Sequence, residues 1–239
     1  MNTDIKDYYA QRAREYEEIY ERPERRDDLL LMEQEAAALF AGRDVLEIAC
    51  GTGYWTRFIA RSARSVVAVD CNPQALGIAK AKDYGGRPVL FLESDAYSLS
   101  NVEGLFSGAF LGFWWSHIPK SKLGRFIKTL HSRLADDARV AMFDNRYVEG
   151  NSTPISRTDA DGNTYQIRQL KDGSSHEVLK NFPGEKDLRQ QLRDRAWELV
   201  FRQWTYYWMA RYTVKRGKRP LTLPSPPGEG GQKRPLVLG

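Results

Sequence analysis

The residues best suited to chemistry fall in one run, DVLEIACGTGYW, from Asp44 to Trp55, and in an acid that follows it. An aliphatic stretch carries the acid Glu47 and then breaks at Gly51 and Gly53. Two glycines one residue apart let a backbone pass close to a ligand, and a helix starting just beyond them offers unpaired N–H groups. Asp70 closes the next aliphatic run, 19 positions after Gly51. An acid at such a strand end is placed to accept hydrogen bonds from both hydroxyls of a ribose.

Two cofactor classes use this geometry. A dinucleotide site requires G-x-G-x-x-G, whose third glycine permits tight helix packing beneath a pyrophosphate. Here Gly51 and Gly53 lead to Thr56, and no third glycine follows. Glu47 also stands where a pyrophosphate would favour a neutral or positive group. An acid there suits a cofactor with a cationic end, and S-adenosylmethionine carries an ammonium and a sulfonium.

The elements that must position these residues follow from periodicity. Tyr8, Tyr9, Ala13, Tyr16 and Tyr20 recur at helical spacing, which predicts an amphipathic helix ending near Pro23 and a second over 27–40. Strands are then expected at 43–48, 65–70, 89–93, 109–115 and 138–144, with helices at 54–63, 73–83 and 120–134. Aliphatic strands alternating with short helices imply βαβ units and a parallel sheet. After Asp144 the rhythm changes. Segments 164–170 and 174–182 flank Lys171-Asp172-Gly173 as a hairpin, a helix is expected over 186–195, and strands at 197–204 and 206–214 add an antiparallel edge.

The chain of 239 residues is 41% hydrophobic, which suits one domain, placed at 1–214, with a substantial core. No apolar run is long enough for a membrane span, and the charged N-terminus lacks an apolar signal core. Cys50 and Cys71 belong to no metal-ligand spacing, so no metal is expected and a reduced cytoplasmic setting is favoured. The net charge of +5 does not mark a nucleic-acid binder. After Val214 the chain carries six basic residues against Glu229 alone, which accounts for the whole excess. Segment 215–239 is rich in Pro and Gly and is expected to be a disordered basic tail.

LEIACGTG, VVAVD, ESDAYSL and FWWSHIP together resemble the motifs of the class I S-adenosylmethionine-dependent methyltransferases, over roughly residues 8–214. Ala49 departs from the pattern, since the first motif often has glycine there. The resemblance implies a doubly wound, mostly parallel, seven-stranded Rossmann-like methyltransferase sheet with an antiparallel edge strand, an N-terminal helical lid over 1–40 and an inserted β-hairpin within 150–183. It implies S-adenosylmethionine as cofactor, with Asp70 on the ribose, Glu47 beneath the cofactor, and Asp95 with Ala96 at the adenine. Ala49, Gly51, Thr52, Gly53, Trp55 and Cys71 complete the expected cofactor contacts, and Tyr9 and Tyr16 are lid tyrosines able to touch it. A further likeness, carried by GTGYWTR, the His-hydrophobic-Pro after strand four and R-x-L-x-D-G, is to the phosphonate O-methyltransferase type of dehydrophos biosynthesis.

The acceptor side rests on fewer residues. His117 follows FWWS at a strand end where ligands gather in open α/β sheets, as a catalytic base, an anion contact or a structural residue. Arg168 and Lys180 fall on opposing hairpin strands, as surface charge or as a clamp on an anionic substrate, and Arg146 and Arg157 are weaker candidates of that kind. Tyr20 is a further candidate substrate contact. The expected reaction moves a methyl group to an oxygen of a small carboxylate, phosphonate or hydroxyl compound. C- or N-methylation, an NAD-dependent oxidoreductase and a non-catalytic binding protein are the alternatives. No nucleic-acid or membrane partner is expected, and the sequence carries no mark of oligomeric state.

Overall fold

The computed structural model describes Tyr8, Arg12, Ala13 and residues 15–215. Tyr9, most of the expected first helix and the tail from 216 onward lie outside the described residues. Among the described residues no helix is long and apolar enough to cross a membrane.

The strands are β1 (Asp44–Ile48), β2 (Ser65–Asp70), β3 (Val89–Glu93), β4 (Phe106–Gly112), β5 (Leu134–Asn145), β6 (Arg157–Thr158), β7 (Thr164–Gln169), β8 (Ser175–Leu179), β9 (Ala196–Gln203) and β10 (Tyr207–Val214). The helices are α1 (Arg26–Leu39), α2 (Thr56–Ile59), α3 (Pro73–Lys80), α4 (Leu123–Ser132) and α5 (Glu185–Leu192). Seven strands form one sheet in the order β3-β2-β1-β4-β5-β10-β9. Pairings from β3 through β5 are parallel, whereas β10 is antiparallel to both β5 and β9. The antiparallel strand therefore lies one place in from the edge. Strand order reverses between β1 and β4, which opens a crevice at their carboxyl ends.

Alternation along the central strands feeds two cores. Leu46 and Ile48, Ala109 and Leu111, and Val140 and Met142 face one layer. Val45, Phe110, Ala141 and Phe143 face the other. Both faces are covered, as a parallel sheet requires. α4 buries Leu123, Phe126, Ile127 and Leu130 on the first face, the i, i+3, i+4, i+7 stripe of an amphipathic helix. α1 buries Leu29, Met32, Ala36 and Leu39 on the second. α3 starts cleanly because Asn72 Oδ1 accepts from the backbone N–H groups of Gln74 and Ala75, and Pro73 occupies the first turn.

Three expectations need correction. The helix expected over 54–63 shrinks to the single turn of α2, and its flanks close as turns. The strand expected at 109–115 ends at Gly112, because Phe113 turns into the left-handed region with φ +56° and Trp115–His117 forms a 3-10 turn. Among the described residues before Pro23, Tyr8 and Arg12 are helical as expected, but Tyr16–Tyr20 forms a 3-10 turn, so the helix does not run on to Pro23. The hairpin holds, with β6 added to make a separate three-stranded sheet β6-β7-β8.

Candidate active site

The loop after β1 is the first element of the site. Ala49, Gly51 and Gly53 all have positive φ, at 54°, 57° and 78°. The two glycines serve different ends. A Cβ on Gly51 would meet nothing within 4 Å, so that residue leaves space beside the loop. A Cβ on Gly53 would lie 2.3 Å from the Tyr84 hydroxyl and 3.2 Å from Ala79 Cβ, so Gly53 lets the loop pack on α3. Ala49 takes the left-handed conformation with a side chain present, at a cost of roughly 1–2 kcal/mol.

Asp70 ties the loop to the end of β2. Its Oδ2 accepts from the Gly51 N–H at 2.8 Å and its Oδ1 from the Asn72 N–H at 2.9 Å. Burial raises its pKa, and the amide donors of Gly51, Asn72 and Cys71 oppose that rise. Each carboxylate oxygen has further lone-pair capacity toward the crevice. Glu47 faces the other way. It is buried beneath the loop, where its Oε2 accepts from the Thr56 hydroxyl at 2.6 Å. Burial, with the Asp70 charge adding to it, pushes its pKa up to about 8, so it is protonated at neutral pH.

A cleft of about 730 Å³ opens where these strand ends meet. Its floor is the loop at Ala49, Gly51 and Thr52, with Asp70, Cys71 and Asn72 beside it. Ser94 and Ala96 close the β3 side, Gly112, Phe113, Trp114 and His117 the β4 side, and Ala13 and Tyr16 the top. Three residues of the wall each carry a buried side-chain atom without a hydrogen-bond partner among the described residues: Asn72 Nδ2, Ser94 Oγ and Trp114 Nε1. Buried polar groups are normally paired, so these orphans fit a ligand that supplies acceptors. A nucleoside cofactor does so, and Asp70 complements them as an acceptor for its hydroxyls. The N-terminal segment is fastened over the cleft by Glu17, which accepts from Thr52 Oγ1 at 2.5 Å and pairs with Lys82.

A second cavity, of about 1310 Å³, shares Tyr16, Phe113 and His117 with the first. His117 Nδ1 lies 2.7 Å from the Leu179 carbonyl oxygen, which only accepts, so Nδ1 carries the hydrogen and Nε2 is the basic nitrogen. Burial lowers the His117 pKa well below its usual value, and the charges of Lys180 and Arg168 lower it further, leaving a neutral ring. Lys180 Nζ donates to Asp144 Oδ1 at 2.8 Å and to Ser116 Oγ at 2.6 Å, both buried. Asp144 also accepts from the Ser116 hydroxyl and backbone N–H, each at 2.9 Å. Burial draws the Lys180 ammonium down to about 8 against the pull of Asp144, with the Arg168 field adding to the fall. Arg168 Nη2 donates to Gln166 Oε1 at 2.9 Å on the same wall.

The sequence-predicted residues thus divide. Tyr16, Ala49, Gly51, Thr52, Asp70, Cys71, Ala96 and His117 line the first cleft. Glu47, Gly53, Trp55 and Asp95 do not. Glu47 braces α2, Gly53 packs on α3, and Asp95 Oδ1 accepts from the Tyr97 N–H at 2.9 Å as a local turn bond. Trp55 and Tyr20 belong to an aromatic core, where the indole N–H donates to the Tyr20 hydroxyl at 3.1 Å and Tyr20 stacks on Tyr54 at 3.6 Å. Tyr20 lines neither cavity. Arg168 and Lys180 do share the second cavity, and Arg146 joins them, but Lys180 is compensated by Asp144. Arg157 pairs with Glu177 on the surface instead. Sequence reasoning missed Asn72, whose position before a helix-opening proline was a visible capping signal, and Ser94. It also missed Phe113, Ser116 and Asp144, which had no local signal beyond their places near strand ends.

Residues 45–137 match a family model described as a methyltransferase domain. Solved structures agree with the fold. A DhpI–SAH complex is 25% identical, covers 90% of this chain and 97% of its own, and superposes with a TM-score of 0.71. A DhpI–SAM–HEP complex is 24% identical over 87% of this chain and 95% of its own, with the same TM-score of 0.71. The PH0226 protein of Pyrococcus horikoshii OT3 is 19% identical over 84% and 99%, with a TM-score of 0.65. No curated protein sequence matches. Residues 45–137 are thus similar to a methyltransferase domain, and the chain as a whole resembles the class I S-adenosylmethionine-dependent methyltransferases.

Proposed function

We propose that the chain transfers the methyl group of S-adenosylmethionine to an oxygen of a small anionic acceptor, a carboxylate or phosphonate, in the cytoplasm. The observation that carries this reading is the meeting of the two cavities at Tyr16, Phe113 and His117, with unsatisfied donors and Asp70 on one side and cationic side chains on the other. DhpI, whose solved complexes hold SAH, or SAM with HEP, supports it by similarity.

Asp70 would hold the ribose, and Asn72, Ser94 and Trp114 would donate to the nucleoside. When bound, S-adenosylmethionine supplies a methyl group on a positively charged sulfur, which needs no acid to leave. Aligning the acceptor is then the chain's main task, worth at most about 7–11 kcal/mol. Arg168 offers a planar fork for two acceptor oxygens. A carboxylate, with an ordinary pKa of about 4, is ionised at neutral pH and needs no base.

A second reading, a hydroxyl acceptor with His117 as general base, is favoured by the neutral imidazole whose Nε2 is the basic nitrogen. A screen of small carboxylates, phosphonates and phenols with methyl-labelled S-adenosylmethionine and mass detection separates the two. Esters of the acids are expected. Labelled phenol ethers alone, with transfer abolished by His117→Ala, would establish the second reading instead.

A further inference from the structure

The second cavity holds more positive charge than one small anion balances. Among the described residues, Arg12, Arg22, Arg25, Arg146, Arg168 and Lys180 line it, and none of the described lining residues is Asp or Glu. Lys180 is compensated from behind by Asp144. Arg25 and Arg146 are oriented by neutral acceptors, which fix a guanidinium without cancelling its charge. Arg25 donates through Nε and Nη2 to Asn151 Oδ1, and its guanidinium lies 5.2 Å from the Tyr206 ring centre. Arg146 donates through Nη1 to the carbonyls of Trp204 and Thr205, and its own N–H bonds the Tyr206 carbonyl at 2.8 Å. Both therefore frame the turn between β9 and β10, whereas Arg168 stands on β7. Two carboxylates lie near them: Glu24 accepts from Asn151 Nδ2 at 3.2 Å and Asp28 Oδ2 accepts from the Tyr206 N–H at 2.7 Å, but neither lines the cavity or forms an ion pair with either arginine. Arg25 and Arg146, half-buried, held in place and without an ion pair among the described residues, are suited to a ligand anion.

We propose that the acceptor is two-headed: one anionic group is methylated beside Arg168, and a second, a carboxylate or phosphonate across a short carbon chain, is held by Arg25 and Arg146. This rests on reading the cavity as the acceptor site. The test is calorimetric binding to the protein saturated with S-adenosylhomocysteine. Ethylphosphonate is compared with phosphonoacetate, 3-phosphonopropionate and 4-phosphonobutyrate. A second charge-assisted contact predicts that at least one two-headed acid binds about tenfold more tightly than ethylphosphonate, or better. In Arg146→Gln, and separately in Arg25→Gln, that ratio should fall to within about twofold of one. The ratio uses ethylphosphonate as the control within each variant, and thermal melting of each variant checks its fold. Equal affinities across the probes, or a ratio that survives in both variants, overturns the proposal while the single-anion reading stands. If S-adenosylhomocysteine binds and no probe does, both readings fall together.

Discussion

The first cleft is walled by strand ends and by backbone, whereas the second cavity is walled by long side chains gathered from the N-terminal segment, the three-stranded sheet and the segment that follows β5. In the cleft, Asp70 is locked by two backbone N–H groups and the loop by its φ angles, so little moves when a ligand arrives. In the cavity, the charges are steered by carbonyls, an amide and a buried ion pair. One half of the proposed site is thus fixed largely by backbone. The other is a set of cations which, on the proposed reading, would select the acceptor.

The sharpest way to break this contrast is at the support of the cationic wall. Asp144→Ala removes the partner of a buried ammonium and two Ser116 bonds. It is expected to destabilise the fold by about 3–5 kcal/mol in denaturant titration. A loss under 1 kcal/mol would show the pair to be dispensable.

Next in size is a pH effect beneath the loop that floors the cleft. Glu47 has a folded pKa of about 8, above its ordinary 4.5. The folded state therefore holds a proton that the unfolded state has released. That contribution to stability is complete below about pH 4.5 and is lost as pH rises through about 8. Glu47→Gln cannot titrate, so its stability relative to the wild type should climb across that window by an amount on the order of 4 kcal/mol. Parallel pH–stability curves would refute the buried protonated acid.

A crossed pair of substitutions compares the two halves directly. Asp70→Asn should weaken S-adenosylhomocysteine binding about 10–100-fold, the range for a charge-assisted hydrogen bond. Arg168→Ala should cost a similar factor in kcat/KM for an anionic acceptor while altering cofactor affinity far less. If both substitutions strike both ligands equally, the two cavities are not separate sites. The smallest effect is Ala49→Gly. It relieves a left-handed alanine but loosens the unfolded chain, for a net gain of about 0.5–1 kcal/mol and a rise of about 1–4 °C in Tm.

Legibility followed the same divide. The glycines and Asp70 lie within one βαβ unit and His117 just past the end of β4, and their positions report on backbone conformation, which local sequence controls. Glu47 was legible as an acid beneath the loop, but its partner Thr56 was not. A one-residue step along β1 decides which face a side chain takes, and position 47 points to the α2 side with Val45. Trp55 and Tyr20 were read as contacts because aromatic residues near a site look alike from sequence, whether they wall it or fill the core behind it. Arg25, Arg146, Arg168 and Lys180 gave weak signals or none, since each alone is an ordinary basic residue.

From the sequence alone came the alternation of aliphatic strands and helices, the crevice-forming order of motifs and the class of cofactor, because hydrophobic period and glycine conformation act over a few neighbouring residues. Tertiary structure alone decided which acids face the cleft, that Lys180 is compensated by Asp144, and that arginines more than a hundred positions apart share one cavity. Those outcomes depend on sheet register and on side-chain burial, and both are set by contacts between segments that no local pattern encodes.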